Sequence, residues 1–566
     1  MVNNKINAND HQNHNQMRSR DLVMNPLRLG AMHQTRLSFV RSLVRRMAKQ
    51  AWQLQLNQWQ ISTQGFGFAI YKLTTPNQEY HLVVFSDQID DADRNDRVIA
   101  EKWDITFALV IGEVNQRLFE QLKNNVPLQE AGRNSTNVIV LARANKSVRV
   151  FEHIVETLSQ GKQPDGQILA QVGYILRTTA VYGNGKFGIA DFEILQTNPD
   201  FNLSFSAQMC AVYILRQFSL DWVHDLAKQR GGDTAIELCP QLQRYLGVGN
   251  ATGLGMTPYL IKHPKVIDNW LSQRENAISL VSQQLISADK NQQLQQLLRR
   301  AQIHLQQVIT IDEQQQKLNQ IAVKELAQIQ LLASKACQQQ QRYSQLLQQN
   351  EAFSFEAQEA FIACLLECYP DYVDNFEQAM NADEALFMPK GINISTMLDM
   401  LKRQYRWAIE IDFNQTNNQY WFWYRSQDKE EPRLGIRGTD VGEDKELALD
   451  IGRQVNRFYH ELIQQPQQQT LAEFLLQYPK YAAIARRTWT LGHCDMGDIQ
   501  MNILAKEALP INLLRCKLAI FGATKFDPRS DRWVRVTLFQ GAPLFNDIHA
   551  DEWLFPLLPQ AQEQAI

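Results

Sequence analysis

The run from Leu246 to Pro264, LGVGNATGLGMTPYLIKHP, is the most glycine-dense stretch of the chain. Gly247, Gly249, Gly253 and Gly255 fall in the spacing G-x-G-x-x-x-G-x-G. Glycine lets a backbone turn tightly and approach a ligand closely. Asn250 and Thr252 add side-chain hydrogen-bonding groups. Thr257-Pro258 has the form of a helix start, with threonine as N-cap and proline at the first helical position. Free backbone N–H groups at such a start attract phosphate or carboxylate. The spacing is not the Rossmann G-x-G-x-x-G, and no Lys-Ser/Thr completes a P-loop. The preceding LCPQLQRYL reads as a helix, which also argues against a Rossmann turn. Two expectations remain. One is a glycine-rich loop that holds an anion through Gly249, Asn250, Thr252 and Gly253. The other is a tight helix crossing that needs small residues.

A second glycine-rich segment, RTTAVYGNGKFGIADFE, covers 177–193. Arg177, Thr178, Tyr182 and Asn184 are its candidate ligand-binding donors for an anionic substrate. Lys186 is a candidate catalytic base or Schiff-base former if desolvated, and Asp191 a candidate acid/base. The plainer reading is a polar turn.

Three further stretches carry weaker signals. In LGHCDMGD (491–498), Cys494 beside His493 and Asp495 suggests a thiolate nucleophile, but sequence neighbours often point apart, and a polar turn before a helix is the plainer reading. No second cluster at ligand spacing exists, so no metal site is assigned. The run 513–536 is locally positive through Arg515, Lys517, Lys525, Arg529, Arg532 and Arg535. It reads as an ion-pair network around Asp527 and Asp531, or as an arginine clamp for a carboxylate. YWFWY (420–424) fits a two-sided buried strand as well as a base-stacking surface.

A chain of 566 residues needs more than one ordinary core. A net charge of −3 gives no global field for nucleic acid. No apolar run approaches the roughly 20 residues that a membrane helix needs. The seven cysteines are sparse and odd in number, which suits reduced thiols in a soluble cytoplasmic protein. Residues 1–30 are rich in Asn and Gln and are expected to be a disordered polar tail.

The expected class is α+β. A mixed α+β region over 31–264 begins with a basic amphipathic helix whose polar face carries Arg36, Arg41, Arg45, Arg46 and Lys49. Such a face suits a solvated surface, a membrane or phosphates. Strands follow in 59–86 around a Thr-Pro-Asn turn, at 103–114 and at 137–143, the last two each with a helix behind. A long helix covers about 204–228, closed by glycine at 231–232. Residues 265–395 are helical and Gln-rich, with stripes Leu294, Leu298, Leu305, Val308, Ile309 and Leu318, Ile321, Leu326, Leu332, as in an antiparallel bundle. Cys364 and Cys368 share a face there and read as core thiols. Residues 396–566 form a C-terminal α+β region with an apparent hairpin at 405–426, whose 415–426 part weakly repeats 75–86 or shares only hairpin grammar with it, and a strand at 533–539.

These readings converge on a metabolic enzyme or ligand-binding protein for a small carboxylate or phosphate, with its site where the two glycine-rich loops meet. The residues assign no reaction, no cofactor and no oligomeric state. A non-enzymatic scaffold using the Gln-rich helices is the alternative.

Overall fold

The computed structural model describes residues 17–88, 103–124, 137–178, 180, 195, 197–203, 205–253, 263–380, 385–415, 420–422, 434–436, 451–498, 510–528, 533–549 and 553–559; for 251–253, 420–422, 434–436, 510 and 533 it describes backbone only.

The fold is α+β, built on a nine-stranded mixed sheet. The strands are β1 (Gln53–Ile61), β2 (Gly67–Thr74), β3 (Glu79–Ser86), β4 (Ile105–Ile111), β5 (Val138–Lys146), β6 (Tyr174–Thr178), β7 (Gly247–Gly253), β8 (Tyr420–Phe422), β9 (Leu434–Ile436), β10 (Ala523–Pro528) and β11 (Trp533–Leu538). β8 and β9 form a separate two-stranded ribbon, and the large sheet runs β1-β2-β3-β4-β5-β6-β7-β11-β10. Its first six strands form an antiparallel meander, and β6 and β7 are parallel. β11 and β10 then close the sheet in antiparallel order. β10 and β11, although C-terminal, therefore extend the N-terminal sheet.

Local chemistry explains the meander. The run 59–73 breaks into two strands because Gly65, at φ 87°, turns the chain between Ser62 and Phe66. At the next turn the Thr75 hydroxyl oxygen accepts from the backbone N–H groups of Asn77 and Gln78. Side-chain alternation then sorts β2 onto two cores: Ala69, Tyr71 and Leu73 join the main one, while Ile70 joins a smaller cluster under the Gln116–Asn124 helix.

The parallel pair β6 and β7 is joined through the helix Ser206–Gly231. That helix is buried on nearly every side, as an element sandwiched between a sheet and other helices must be. Its Arg216 is buried and donates to five carbonyls: Leu246 at 2.7 Å, Arg244 at 2.9 Å, Ala542 and Pro543 at 3.0 Å, and Gln243 at 3.1 Å. It ties the entry to β7 to the segment that follows β11. The helix ends at Gly232, whose φ of 55° suits glycine.

The Gln-rich region is helical, as expected. Ala288–Gln307 and Glu313–Gln338 pack antiparallel, with Gln295 donating to the Gln330 carbonyl and Gln302 to that of Val323. Leu294, Leu298 and Leu305 are core. The second stripe differs from expectation. The buried face is Gln315, Asn319, Ala322, Leu326, Ile329, Ala333 and Ala336, whereas Ile321 is exposed. Small residues let the two helices approach closely, so the buried face is not the one marked by the largest side chains. Cys364 and Cys368 are buried free thiols.

Three other expectations are corrected. Residues 17–30, placed in a disordered tail, are ordered: Arg18 binds both Glu275 oxygens at 2.7 Å, and Arg28 donates to Glu359 at 2.6 Å and to Gln358 at 2.7 Å. The arginines of the first amphipathic helix, Phe39–Lys49, do not form a solvated face. Arg41 donates to Glu367 at 2.7 Å and Arg45 to Glu377 at 3.2 Å, while Arg36, just before the helix, grips both Asp374 oxygens at 2.8 Å. The hairpin at 405–426 does not form, because Ile394–Ile409 is a helix and β8 pairs with β9 instead. Most of the proposed second repeat, in 416–419 and 423–426, lies outside the described residues. Among the described residues no helix is long and apolar enough to cross a membrane.

Glu359 is fully buried and serves Arg28 and Arg274 directly, with Arg18 at 3.9 Å. Burial pushes its carboxyl up, but Arg274, Arg18 and Arg28 outweigh burial and hold it down at about 2. Its folded value lies below the unfolded one, so its stabilisation is present above the ordinary carboxyl range and is lost as pH falls toward 2. Glu359→Gln leaves buried guanidiniums without their counter-charge. It is expected to cost about 3–5 kcal/mol in urea unfolding, well beyond a surface pair.

Candidate functional site

The glycine run is the first surprise: Gly247–Gly253 is not a loop but the strand β7, inside the sheet. Its glycines answer to packing. A Cβ on Gly249 would lie 2.5 Å from atoms of the Tyr174 ring, and one on Gly247 would lie 2.2 Å from the Leu538 carbonyl oxygen. The need for small residues is real, and it comes from strand and ring contacts, not from a helix crossing. Thr257-Pro258 lies outside the described residues.

The sheet does bring parts of the two glycine-rich segments together. Arg177 is the Cα partner of Gly249, and Thr178 that of Asn250. Alternation along each strand, however, puts Arg177 and Gly249 on one face and Thr178 and Asn250 on the other. Thr178 spends its hydroxyl on the Arg143 carbonyl at 2.8 Å. Arg177, Thr178 and Asn250 are all buried. Thr252 and Gly253 are seen only as backbone of β7, and Tyr182, Asn184, Lys186 and Asp191 lie outside the described residues. The described ligand-binding candidates thus form sheet interior, split between two faces, and not a shared loop site.

The other sequence signals also resolve into structure. Burial, with Asp268 beside it, pushes the Cys494 thiol up to about 12, opposite to an activated nucleophile. Asp268 accepts from the backbone N–H groups of Met496 at 2.9 Å and Gly497 at 3.1 Å, so the 494–497 turn is a docking point. Among the described residues no three His, Cys, Asp or Glu side chains could hold a metal ion. Lys525 donates to the Ala170 carbonyl at 2.5 Å and Arg535 to that of Gln171 at 3.1 Å. Both cations sit at the C-terminal end of the Gly166–Val172 helix, where the helix dipole favours positive charge. Asp527 approaches Arg535 at 4.0 Å, while Arg529, Asp531 and Arg532 lie outside the described residues.

A cavity of about 60 Å³ lies along the edge strand β10, with room for several waters. Its charged and titratable walls are His33, His304, Arg515 and Lys525, and among the described residues no carboxylate lines it. Gln34, Gln315, Asn319 and Thr524 add polar groups. The four basic residues come from four places: the segment after the helix Pro26–Ala31, the helix Ala288–Gln307, the helix Pro510–Phe521 and β10. Both imidazoles pack on the Phe555 ring, at centroid distances of 5.2 and 5.5 Å. Arg515 lies over the Phe526 ring at 5.5 Å and makes no hydrogen bond or ion pair among the described residues. The buried Gln34 Oε1 also lacks a partner there.

The electrostatics of the cavity are uniform in sign. Burial, then Arg515 and His304, drive His33 down to about 3. Burial, opposed by the Pro556 carbonyl and aided by Lys525 and Arg300, drives His304 down to about 4. Of these walls, only Arg515 and Lys525 stood among the sequence candidates, through the local positive charge of 513–536. The histidines carried no local signal. No protein family matches this chain, and no curated protein or solved structure is detectably similar to it.

Two measurements check this account. Gly249→Ala is expected to cost about 1–3 kcal/mol by overpacking. It should cost less in a Tyr174→Ala background, where the ring is gone, as a double-mutant cycle in urea would show. Both cavity histidines have folded values below the unfolded 6.5, so the unfolded chain binds more protons below that pH. Stability is therefore expected to fall as pH drops from about 6.5 toward 4, and His304→Gln should flatten that slope.

Proposed function

We propose that the chain binds a small anionic molecule, of the carboxylate or phosphate class, in the cavity beside β10. The observation that carries this reading is Arg515. A charged guanidinium faces a cavity that, among the described residues, no carboxylate lines and no side chain neutralises by direct contact. The fully buried Arg28, Arg41 and Arg274 meet glutamates and Arg216 meets carbonyls, whereas the half-buried Arg515 meets neither among the described residues. A planar guanidinium left open to a small polar cavity is suited to a carboxylate or phosphate. The ligand-binding form of the expectation is the one supported here, moved from the glycine-rich segments to this cavity. The seven free thiols fit a reducing cytoplasm.

Thermal unfolding of the full chain with phosphate, sulfate and small carboxylates tests the proposal. A ligand at a hundred times its Kd stabilises by about 2.7 kcal/mol, enough to raise Tm by a few degrees. Arg515→Gln is expected to remove that rise. A rise that survives in Arg515→Gln would move the ligand elsewhere. No rise with any anion would favour the scaffold reading, for which Ile321 and Leu331, exposed on the Gln-rich helix Glu313–Gln338, offer a partner surface.

A further inference from the structure

We infer that the anion taken by this cavity is a phosphoryl-type dianion, and that the His33 and His304 pair takes up a proton from solvent as it enters. This inference rests on the reading of the cavity as an anion site, and it goes further by naming the charge of the ligand and the coupling.

Three features of the walls carry it. First, the His304 Nδ1 lies 2.8 Å from the Pro556 carbonyl oxygen. A carbonyl only accepts, so Nδ1 carries the hydrogen, and the Nε2 of the neutral ring carries a lone pair. A lone pair repels an anion, whereas a protonated Nε2 donates to it. Second, neither ring nitrogen of His33 has a hydrogen-bond partner among the described residues. When that ring is neutral, one of its nitrogens likewise presents a lone pair. Third, Lys525 spends its donors on the Ala170 and Gln171 carbonyls, which leaves the Arg515 guanidinium as the cationic donor for a ligand, with the Lys525 charge behind it. Arg515 donates to one charged oxygen of a dianion, and a proton on the imidazole pair supplies a charged donor for a second.

The surrounding charges set the direction of coupling. Arg515 and His304 act on His33 from the walls, with Arg274 and Glu359 behind it; Lys525 and Arg300 act on His304. Glu356 acts on Arg515 through space. Glu359 is committed to Arg28 and Arg274. Burial, and after it these cations, keeps both rings neutral in the empty cavity. An opposite charge within about 4–6 Å raises a pKa by about 1–3 units, and a dianion acts more strongly than a carboxylate. Binding and proton uptake are therefore linked, and affinity falls as pH rises.

Calorimetric titration of the full chain with sulfate tests this, because sulfate stays a dianion through the range and any proton taken up goes to the protein. Inorganic phosphate and acetate are the comparison anions. Each is measured at pH 5.5 and 7.5, in two buffers of different ionisation heat. Sulfate and phosphate are expected to bind, with about half to one proton taken up per sulfate at pH 5.5 and less at 7.5. Affinity should drop by up to about tenfold per pH unit between them. Acetate should bind more weakly and with less uptake. His304→Gln and His33→Gln should lower the uptake and flatten the pH dependence. Arg515→Gln should abolish binding, and Arg515→Lys, which keeps the charge, should retain part of it; circular dichroism checks that each variant is folded. Sulfate binding without proton uptake, or uptake unchanged in both histidine variants, would overturn the coupling and leave the anion site standing. Acetate binding as tightly as sulfate would overturn the dianion. Absence of binding by all three anions would remove the site itself.

Discussion

Two carboxylates on one buried helix, Glu359 and Glu367 of Phe355–Glu367, organise the arginines that hold the N-terminal segment in place. Charges leave water only at high cost, and a buried pair survives when its geometry and remaining hydrogen bonds are good. Here they are shared. Glu359 meets Arg28 and Arg274, and Glu367 meets Arg36 and Arg41. The segment they hold contributes Met32, His33 and Gln34 to the cavity wall and then runs into the Phe39–Lys49 helix. A change at Glu359 therefore reaches the cavity through the backbone that carries His33, as well as through its field on that ring.

Much of the fold was legible in the sequence wherever local chemistry acted alone. Runs of apolar and β-branched residues marked β3, β4 and β5, glycine marked the end of the long helix, and the antiparallel Gln-rich pair followed from its helical period, whereas the turn at Gly65 was hidden inside one strand-like run. Legibility failed where a distant partner decided the outcome. The basic face of 36–49 looked solvated because its acidic partners lie more than three hundred residues away. Ile321 looked like core, yet Ala322, Ala333 and Ala336 make the contact. The glycines of β7 looked like a loop, because the reason for them is a ring at Tyr174 and a carbonyl at Leu538, neither visible in the run itself.

The candidate site was less legible than the fold. Its basic residues stand at positions 33, 304, 515 and 525, and only the last two share a recognisable stretch. Such a site has no motif, since each wall is placed by a different packing contact. The stretch 247–250 proved to be a place where the backbone must come close to a ring and a carbonyl, which also selects glycine. Dense glycine reports a steric constraint, and a ligand is only one cause of such a constraint.

The closing position of β11 and β10 has a consequence for how the chain is made. β7 ends at Gly253 and its partner β11 begins at Trp533, so about 280 residues are synthesised before the sheet can finish. At roughly 5–20 residues per second that interval is on the order of tens of seconds, during which β7 is an open edge. Open edges recruit stray strands, and long flat apolar ones do so most readily. β7 is GVGNATG, with three glycines and Val248 as its one large apolar side chain, so it offers an early partner little to pack against. The glycines that let Tyr174 and Leu538 come close in the finished protein also keep an unfinished edge from being adhesive on the ribosome.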